Sequence, residues 1–508
     1  MDNLTPYYYL LVALIPLLYL VRNRISRGSR DRGLRLPPGP WELPLIGSVH
    51  HIFSAFPHQA LRDLSRRHGP LMLLKLGKAP IIIVSSADAA KEIMKTHDTT
   101  FCTRPRSSAV KVFTKYVKGM TFSPYGEGCR QLRKICIMEL LSPKRIQSFR
   151  HIREHETLRL VESVSAAASS SSEPHMNLSK MISRYVTDAT VHAIMGYRFK
   201  DQDTLVHYID EVLRLMTGFT LPDLFPSSRL AHALSSTLRA ADAHRDTVYV
   251  FLDRVVNEHL QRRRSEEEVG HHDLIDVLLR IKDEGNLQFP LTMDTIKAVV
   301  FELMAGGSET PTSTIHWAMA QLIRNPSSMS RAQAEVRRVF MAQMKVTEEG
   351  LGELSYLKCI IKETMRLHTP GPLLMPRQCQ KQCKILGYDI PKGATVLVNA
   401  WAIARDPEYW QNPEEFVPER FEGNNARDWK GNNFEYTPFG AGRRMCPGMY
   451  FGLANIELAL ASLLFYFDWT LPDGILPSDL DMRETMGITI RKKEDLRLRA
   501  TPHIQLPC

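Results

Sequence analysis

Residues 438–448 read PFGAGRRMCPG, and this loop carries the most specific chemistry in the chain. Cys446 stands among Gly440, Gly442 and Gly448, which permit a tight turn around a sulfur. Such a turn aims backbone N–H groups at a thiolate and tunes its strength as a metal donor. Pro447 fixes its own backbone angle and offers no N–H. Arg444 is a cation near the sulfur, and Phe439 is placed to pack over the loop and exclude water. Upstream, Met304–Thr314 reads MAGGSETPTST. Gly306 and Gly307 would cost a helix interior about 1 kcal/mol each relative to alanine, and a ligand lying close to the backbone would justify them. Glu309 followed by Thr310 is an acid–alcohol pair suited to passing protons. Between the two segments, KETMRLH puts Glu363 and Arg366 three residues apart, on one helix face. Alone such a pair is an ordinary surface salt bridge.

Helical patterns dominate the chain that must position these residues. Strand signals are brief, at Leu71–Leu76, Ile81–Val84, Cys383–Ile385 and Thr395–Val398. The expectation is a mainly α protein with a small β region, forming one large domain. Ser163–Ser172 and 261–273 read as surface loops. Residues 7–21 carry no charge and would span about 22 Å as a helix, short of a bilayer core of about 30 Å. No small-residue cleavage site follows them. Arg22, Arg24, Arg27, Arg30 and Arg32 come next, which holds that side in the cytosol. Residues 1–24 are therefore expected to be an uncleaved membrane anchor. Residues 25–40, ending in Pro37, Pro38, Gly39 and Pro40, are expected to be a basic, stiff hinge. Residues 41–508 are expected to form the one large domain.

The 508 residues carry a formal net charge of +10. That excess suits an anionic membrane surface or an acidic protein partner. Nucleic acid is not expected, because no dense Lys/Arg run is interleaved with aromatics. The eight cysteines are scattered without zinc-type pairs, as in a reducing compartment.

The pattern Phe439, Gly442, Arg444, Cys446, Gly448 resembles the haem-binding signature FxxGxRxCxG of the cytochrome P450 family. Glu363 and Arg366 resemble its ExxR helix, Pro418–Phe421 (PERF) its following segment, and Gly306–Thr310 its distal (A/G)Gx(D/E)T motif. The resemblance covers nearly all of the chain, and its wording is most similar to plant microsomal A-type members. It implies the P450 fold and a haem-thiolate catalytic domain with Cys446 as axial ligand of haem b (iron protoporphyrin IX). It also implies that Arg420 joins Glu363 and Arg366 in a buried triad that locks the haem loop. Arg444, Arg133 and Arg377 are implied to meet haem propionates. Thr310 would stabilise activated oxygen and Glu309 would deliver protons, while the thiolate favours O–O cleavage.

Electrons would come from NADPH through NADPH-cytochrome P450 reductase, with cytochrome b5 as a second donor. The protein would sit on the endoplasmic reticulum membrane with its domain in the cytosol. Two positions depart from the family. Cys129 stands where the pattern WxxxR has Trp, and Pro311 replaces a Thr or Ser. Pro311 is expected to kink the helix and free the Gly307 carbonyl toward the oxygen pocket.

Apolar segments at 101–122, Leu221–Pro226, Phe301–Gly306, Thr369–Leu374 and Met486–Ile490 are implied to choose a hydrophobic substrate. The wording resembles plant enzymes that oxidise terpenoids. Phenylpropanoids, alkaloid precursors and fatty acids remain open, as does a non-oxygenating isomerase or dehydratase, although such members usually lose the alcohol at Thr310.

Overall fold

Eight helices position the site: α1 Glu127–Ile135, α2 Arg150–Ser169, α3 Leu178–Met195, α4 Gln202–Leu215, α5 Ser236–Arg264, α6 Met293–Arg324, α7 Ser355–Leu367 and α8 Met449–Tyr466. The computed structural model describes residues 33–504 apart from 53–55, 115–118, 170–174, 199–201, 217–219, 265–272, 424–426 and 486. The anchor expected at 1–24 and the first part of the hinge lie outside the described residues. The proline segment does not stand free as a spacer. Leu73 N–H donates to the Pro38 carbonyl at 2.8 Å, and Arg35 and Asp389 exchange two backbone-anchored bonds.

The 32-residue α6 runs through the domain and packs against α3 and α8. Its N-terminus is capped by Thr292, whose hydroxyl accepts from the Thr295 N–H. α8 is apolar on every side because it is a core helix. It is long and apolar enough to cross a membrane, yet 78% of that stretch is buried inside the protein.

Two loop expectations are corrected at their starts, at 163–169 and 261–264, while 170–174 and 265–272 lie outside the described residues. α2 continues through the Ser/Ala-rich stretch to Ser169. Alanines favour helix, and Ser163 and Ser169 satisfy their hydroxyls on the carbonyls of Arg159 and Ser165 one turn back. α5 likewise continues to Arg264, where three arginines in the last turn face the negative end of the helix dipole.

The strand expectations hold. β1 Leu71–Leu76 pairs antiparallel with β2 Ala79–Val84, and β2 pairs parallel with β4 Thr395–Val398. β3, Arg377–Gln378, pairs antiparallel with β4, so the sheet order is β1-β2-β4-β3. Cys383–Ile385 forms a hairpin with Tyr388–Ile390. The sheet thereby carries Arg377 to the edge beside the cysteine loop.

Candidate active site

The cysteine loop is bent as its glycines suggested. Gly440 and Gly442 adopt φ of 69° and 68°. At Gly442 a Cβ would lie 2.2 Å from the Met94 carbonyl oxygen, so glycine is required twice over. The Cys446 N–H donates to the Phe439 carbonyl at 2.9 Å, and Phe439 packs edge-to-face on Trp429. Gly448 is the N-cap of α8 and directs its N–H at the Cys446 sulfur. Cys446 alone among the described cysteines is exposed, yet burial raises its thiol pKa. The sulfur therefore faces an internal space, and the Gly448 N–H and Arg133 favour its thiolate. Gly442→Ala should lower the thermal midpoint and the haem-to-protein absorbance ratio. The left-handed backbone alone costs about 1–2 kcal/mol for an L side chain.

Four arginines converge behind this loop. Arg444 donates to the carbonyls of Cys102 (2.6 Å), Met120 (3.1 Å) and Ser123 (2.6 Å). Arg133 donates to Met445 O at 2.7 Å. Arg377 divides its fork between Asp98 and the Ala441 carbonyl. Asp98 in turn accepts from the Arg443 N–H, which pins the start of the loop.

Sequence reasoning missed Asp98 and the fourth cation, Arg104. Arg104 is buried and donates to Met375 O and Pro376 O, but its Nε has no partner among the described residues. Burial, with Arg377, Arg444 and Arg133 nearby, holds its pKa well below the usual guanidinium value. Buried cations that depress one another call for an anion between them. A dicarboxylate porphyrin whose iron takes a thiolate answers both the arginines and the sulfur, so the residues fit haem. Cys129 is buried at the place of the family's Trp.

The expected triad is assembled. Arg366 donates to Glu363 at 2.7 and 2.9 Å and to the carbonyls of Ala404, Pro413 and Glu415. All five of its N–H groups are used. Arg420 Nε and the Val417 N–H also donate to Glu363, at 3.0 and 2.9 Å. Glu363 and Arg366 are wholly buried. The triad thus bolts α7 to residues 413–420, which lead into the cysteine loop.

On α6, Thr310 Oγ1 donates to the Gly306 carbonyl at 2.8 Å. Glu309 is gripped by Arg491 at 2.8 and 2.9 Å, and Arg491 also holds Asp210 of α4. Burial raises the Glu309 pKa against the pull of Arg491. The expectation for Pro311 is corrected. The Gly307 carbonyl is not free, because Thr190 Oγ1 donates to it at 3.0 Å. Gly307 faces α3, where a Cβ would lie 2.8 Å from Thr190 Cγ2. Of the two glycines, only Gly306 opens on the pocket. Pro311→Ala should consequently leave the ratio of product formed to oxygen consumed unchanged.

A cavity of about 230 Å³ lies along this face of α6. Gly306, Glu309 and Thr310 form one wall; Phe113, Phe122, Phe301 and Ile488 give it an apolar surface. Segments 101–122, 301–306 and 486–490 contribute as expected. No residue of Leu221–Pro226 or Thr369–Leu374 lines it, whereas Met375 does. Leu213, at the end of α4, Met216, just past it, and Val248 and Leu252, on α5, were missed. Their only sequence signal was the apolar stripe of any helix.

A sulfur in a glycine turn, a ring of buried cations and an adjoining apolar chamber point to a haem-thiolate protein. Residues 37–497 match the model of the family described as Cytochrome P450. The chain is 46% identical over 489 residues to premnaspirodiene oxygenase of Hyoscyamus muticus, covering 96% of each. It is 45% identical to desmethyl-deoxy-podophyllotoxin synthase of Sinopodophyllum hexandrum, covering 96% of this chain and 95% of that one. A zebra fish cytochrome P450 solved with abiraterone has the same fold, with a TM-score of 0.73 at 24% identity, covering 88% of this chain and 99% of that one. The chain belongs to the cytochrome P450 family. It is a monooxygenase, an oxidoreductase that inserts oxygen, and membership implies haem, a reductase as redox partner, O2 and a hydrophobic substrate.

Proposed function

We propose that this monooxygenase hydroxylates a terpenoid of plant specialised metabolism, with haem b held by Cys446 and electrons drawn from NADPH through its reductase. The observation that carries the substrate class is the cavity beside Gly306–Thr310, small, walled by aromatic and aliphatic side chains, and suited to a compact hydrocarbon skeleton. The similarity to premnaspirodiene oxygenase supports it. Haem supplies the oxygen-activating chemistry when bound. Cys446 gives the sulfur ligand, with the Gly448 N–H moderating its charge. Arg104, Arg133, Arg377 and Arg444 would neutralise the propionates. Glu363, Arg366 and Arg420 keep the cysteine loop at one fixed height. Gly306, lacking a Cβ, leaves room over the reacting centre. Thr310 Oγ1 holds a proton at the pocket wall, and Glu309, kept in place by Arg491, resupplies it.

The surface suits the remaining partners. Arg130, Lys134, Ile137 and Met138 are exposed on the segment that Arg133 ties to the Met445 carbonyl, and Arg443 and Tyr450 are exposed on either side of Met445 in the sequence. That face would meet the acidic reductase, and cytochrome b5 in the same manner. Trp41, Leu45, Leu221, Leu230 and Leu234 are also exposed. The Gly77–Lys78 turn joins their two segments, bonding to the carbonyls of Ile46 and Leu224 at 2.9 Å each. Such a patch would rest on the endoplasmic reticulum membrane beside the anchor. Incubating the reconstituted enzyme with a panel of sesquiterpene and diterpene hydrocarbons tests the substrate class. A hydroxylated product from at least one is expected, and oxidation of lignan or fatty-acid probes alone would overturn it.

A further inference from the structure

The cavity contains a second acid, Glu302, two turns before Thr310, that the mechanism does not use. Its oxygens do not point at another charge. Oε2 accepts from the Met120 N–H at 2.7 Å, and the Thr121 N–H is shared between Oε1 and Oε2 at 3.0 and 3.1 Å. Gly119 lies so close that a Cβ there would sit 2.3 Å from Oε1. From the opposite side, Arg444 donates to the Met120 carbonyl at 3.1 Å and to the Ser123 carbonyl at 2.6 Å. One peptide group, linking Met120 and Thr121, therefore gives its C=O to the arginine and its N–H to the acid. The segment is closed on itself as well, by Ser123 Oγ donating to the Gly119 carbonyl.

We infer that Glu302 is a positioning residue: through the Met120–Thr121 peptide it forms a bridged ion pair with Arg444 that latches residues 119–123 between α6 and the cysteine loop, and so sets the pocket wall against which the substrate is oriented. A peptide polarised from both ends makes stronger bonds than either partner would alone. Gly119, Thr121 and Phe122 of the latched segment line the cavity, so a loosened latch moves a wall. The groups facing Glu302 are few. Arg444 comes from the cysteine loop, Cys136 from beyond α1 and Tyr249 from α5. Burial outweighs the two N–H donors, the Thr121 hydroxyl and Arg444, and pushes the Glu302 pKa up to about 7. The latch is then charged above neutrality. Below it, the protonated acid keeps its neutral oxygen as an acceptor but loses the charge that strengthens each bond.

The assignment rests on the cavity being the substrate chamber, and its test separates the two ideas. Backbone amide exchange of residues 119–123 is followed in the substrate-free holoenzyme, corrected for intrinsic exchange. Glu302→Gln should accelerate it roughly ten- to a hundredfold, the range expected for lost bonds to a charged acceptor. Gly119→Ala, which keeps the carboxyl but displaces it, should do the same. With an accepted substrate, the ratio of hydroxylated positions should change through a transition near neutral pH in the unmodified enzyme. That transition should disappear in Glu302→Gln. Unchanged exchange in both variants, or a pH transition that survives Glu302→Gln, overturns the latch. If Glu302→Gln does not accumulate, Gly119→Ala decides by the same exchange reading. Accelerated exchange in protein that oxidises no terpenoid supports the latch and sinks the substrate class instead.

Discussion

Cys446→Ser protein is expected to lose the carbon monoxide difference spectrum of a thiolate-ligated haem and to lose oxygen insertion by roughly a thousandfold or more. The substitution changes one atom in a loop whose other bonds are backbone bonds. The Cys446 N–H still reaches Phe439 O, and the glycine turn is untouched. A serine hydroxyl stays protonated at neutral pH, however, and is a poor donor to iron. The Gly448 N–H, now facing a neutral oxygen, has no thiolate to moderate. Porphyrin can still enter, because Arg104, Arg133, Arg377 and Arg444 remain, so the measurement must be the spectrum and not porphyrin content alone. Retention of the spectrum and turnover would remove the basis for placing the iron at position 446.

Glu363→Gln is expected to destabilise the domain by about 3–5 kcal/mol, the cost of leaving a buried charge without its partner. The shape of the side chain is conserved. What is lost is the negative charge that balances Arg366 and Arg420, both held within 3.0 Å. The new amide would also turn N–H groups toward donors. Arg366 keeps three carbonyls, which solvate but do not neutralise it. Chemical denaturation of the holoprotein checks the figure, and the yield of haem-loaded protein should fall with it. A change under about 1 kcal/mol would mean the triad is no lock.

The most readable parts of the chain were those in which chemistry dictates a spacing. The cysteine turn needs glycines on both sides of its sulfur, so the order of residues displays it; Glu363 and Arg366 alone read as a surface pair, and their buried triad with Arg420 followed only from the family resemblance. Arg104 and Asp98 were missed because neither belongs to a motif or a fixed period that would set it apart from the charged residues beside it. Only the fold shows that one is buried among cations and the other under Gly442. The cavity contributions of Leu213, Met216, Val248 and Leu252 were invisible for another reason. An apolar helical stripe looks the same whether it meets a neighbour or an empty chamber. Gly307 illustrates the converse. A proline four residues after Gly307 suggested an open carbonyl, but Thr190, more than a hundred residues away, supplies the missing donor.

The buried Glu363 has a consequence for biogenesis. Its four donors come from α7, Val417 and Arg420, and none comes from the cysteine loop or from the prosthetic group. The scaffold beneath the loop can therefore be finished in a nascent chain before any iron arrives. The guanidinium cluster above it stays self-repelling until then. A cell short of haem should accordingly accumulate a folded base with an unsettled crown, the form that proteolytic quality control would meet first.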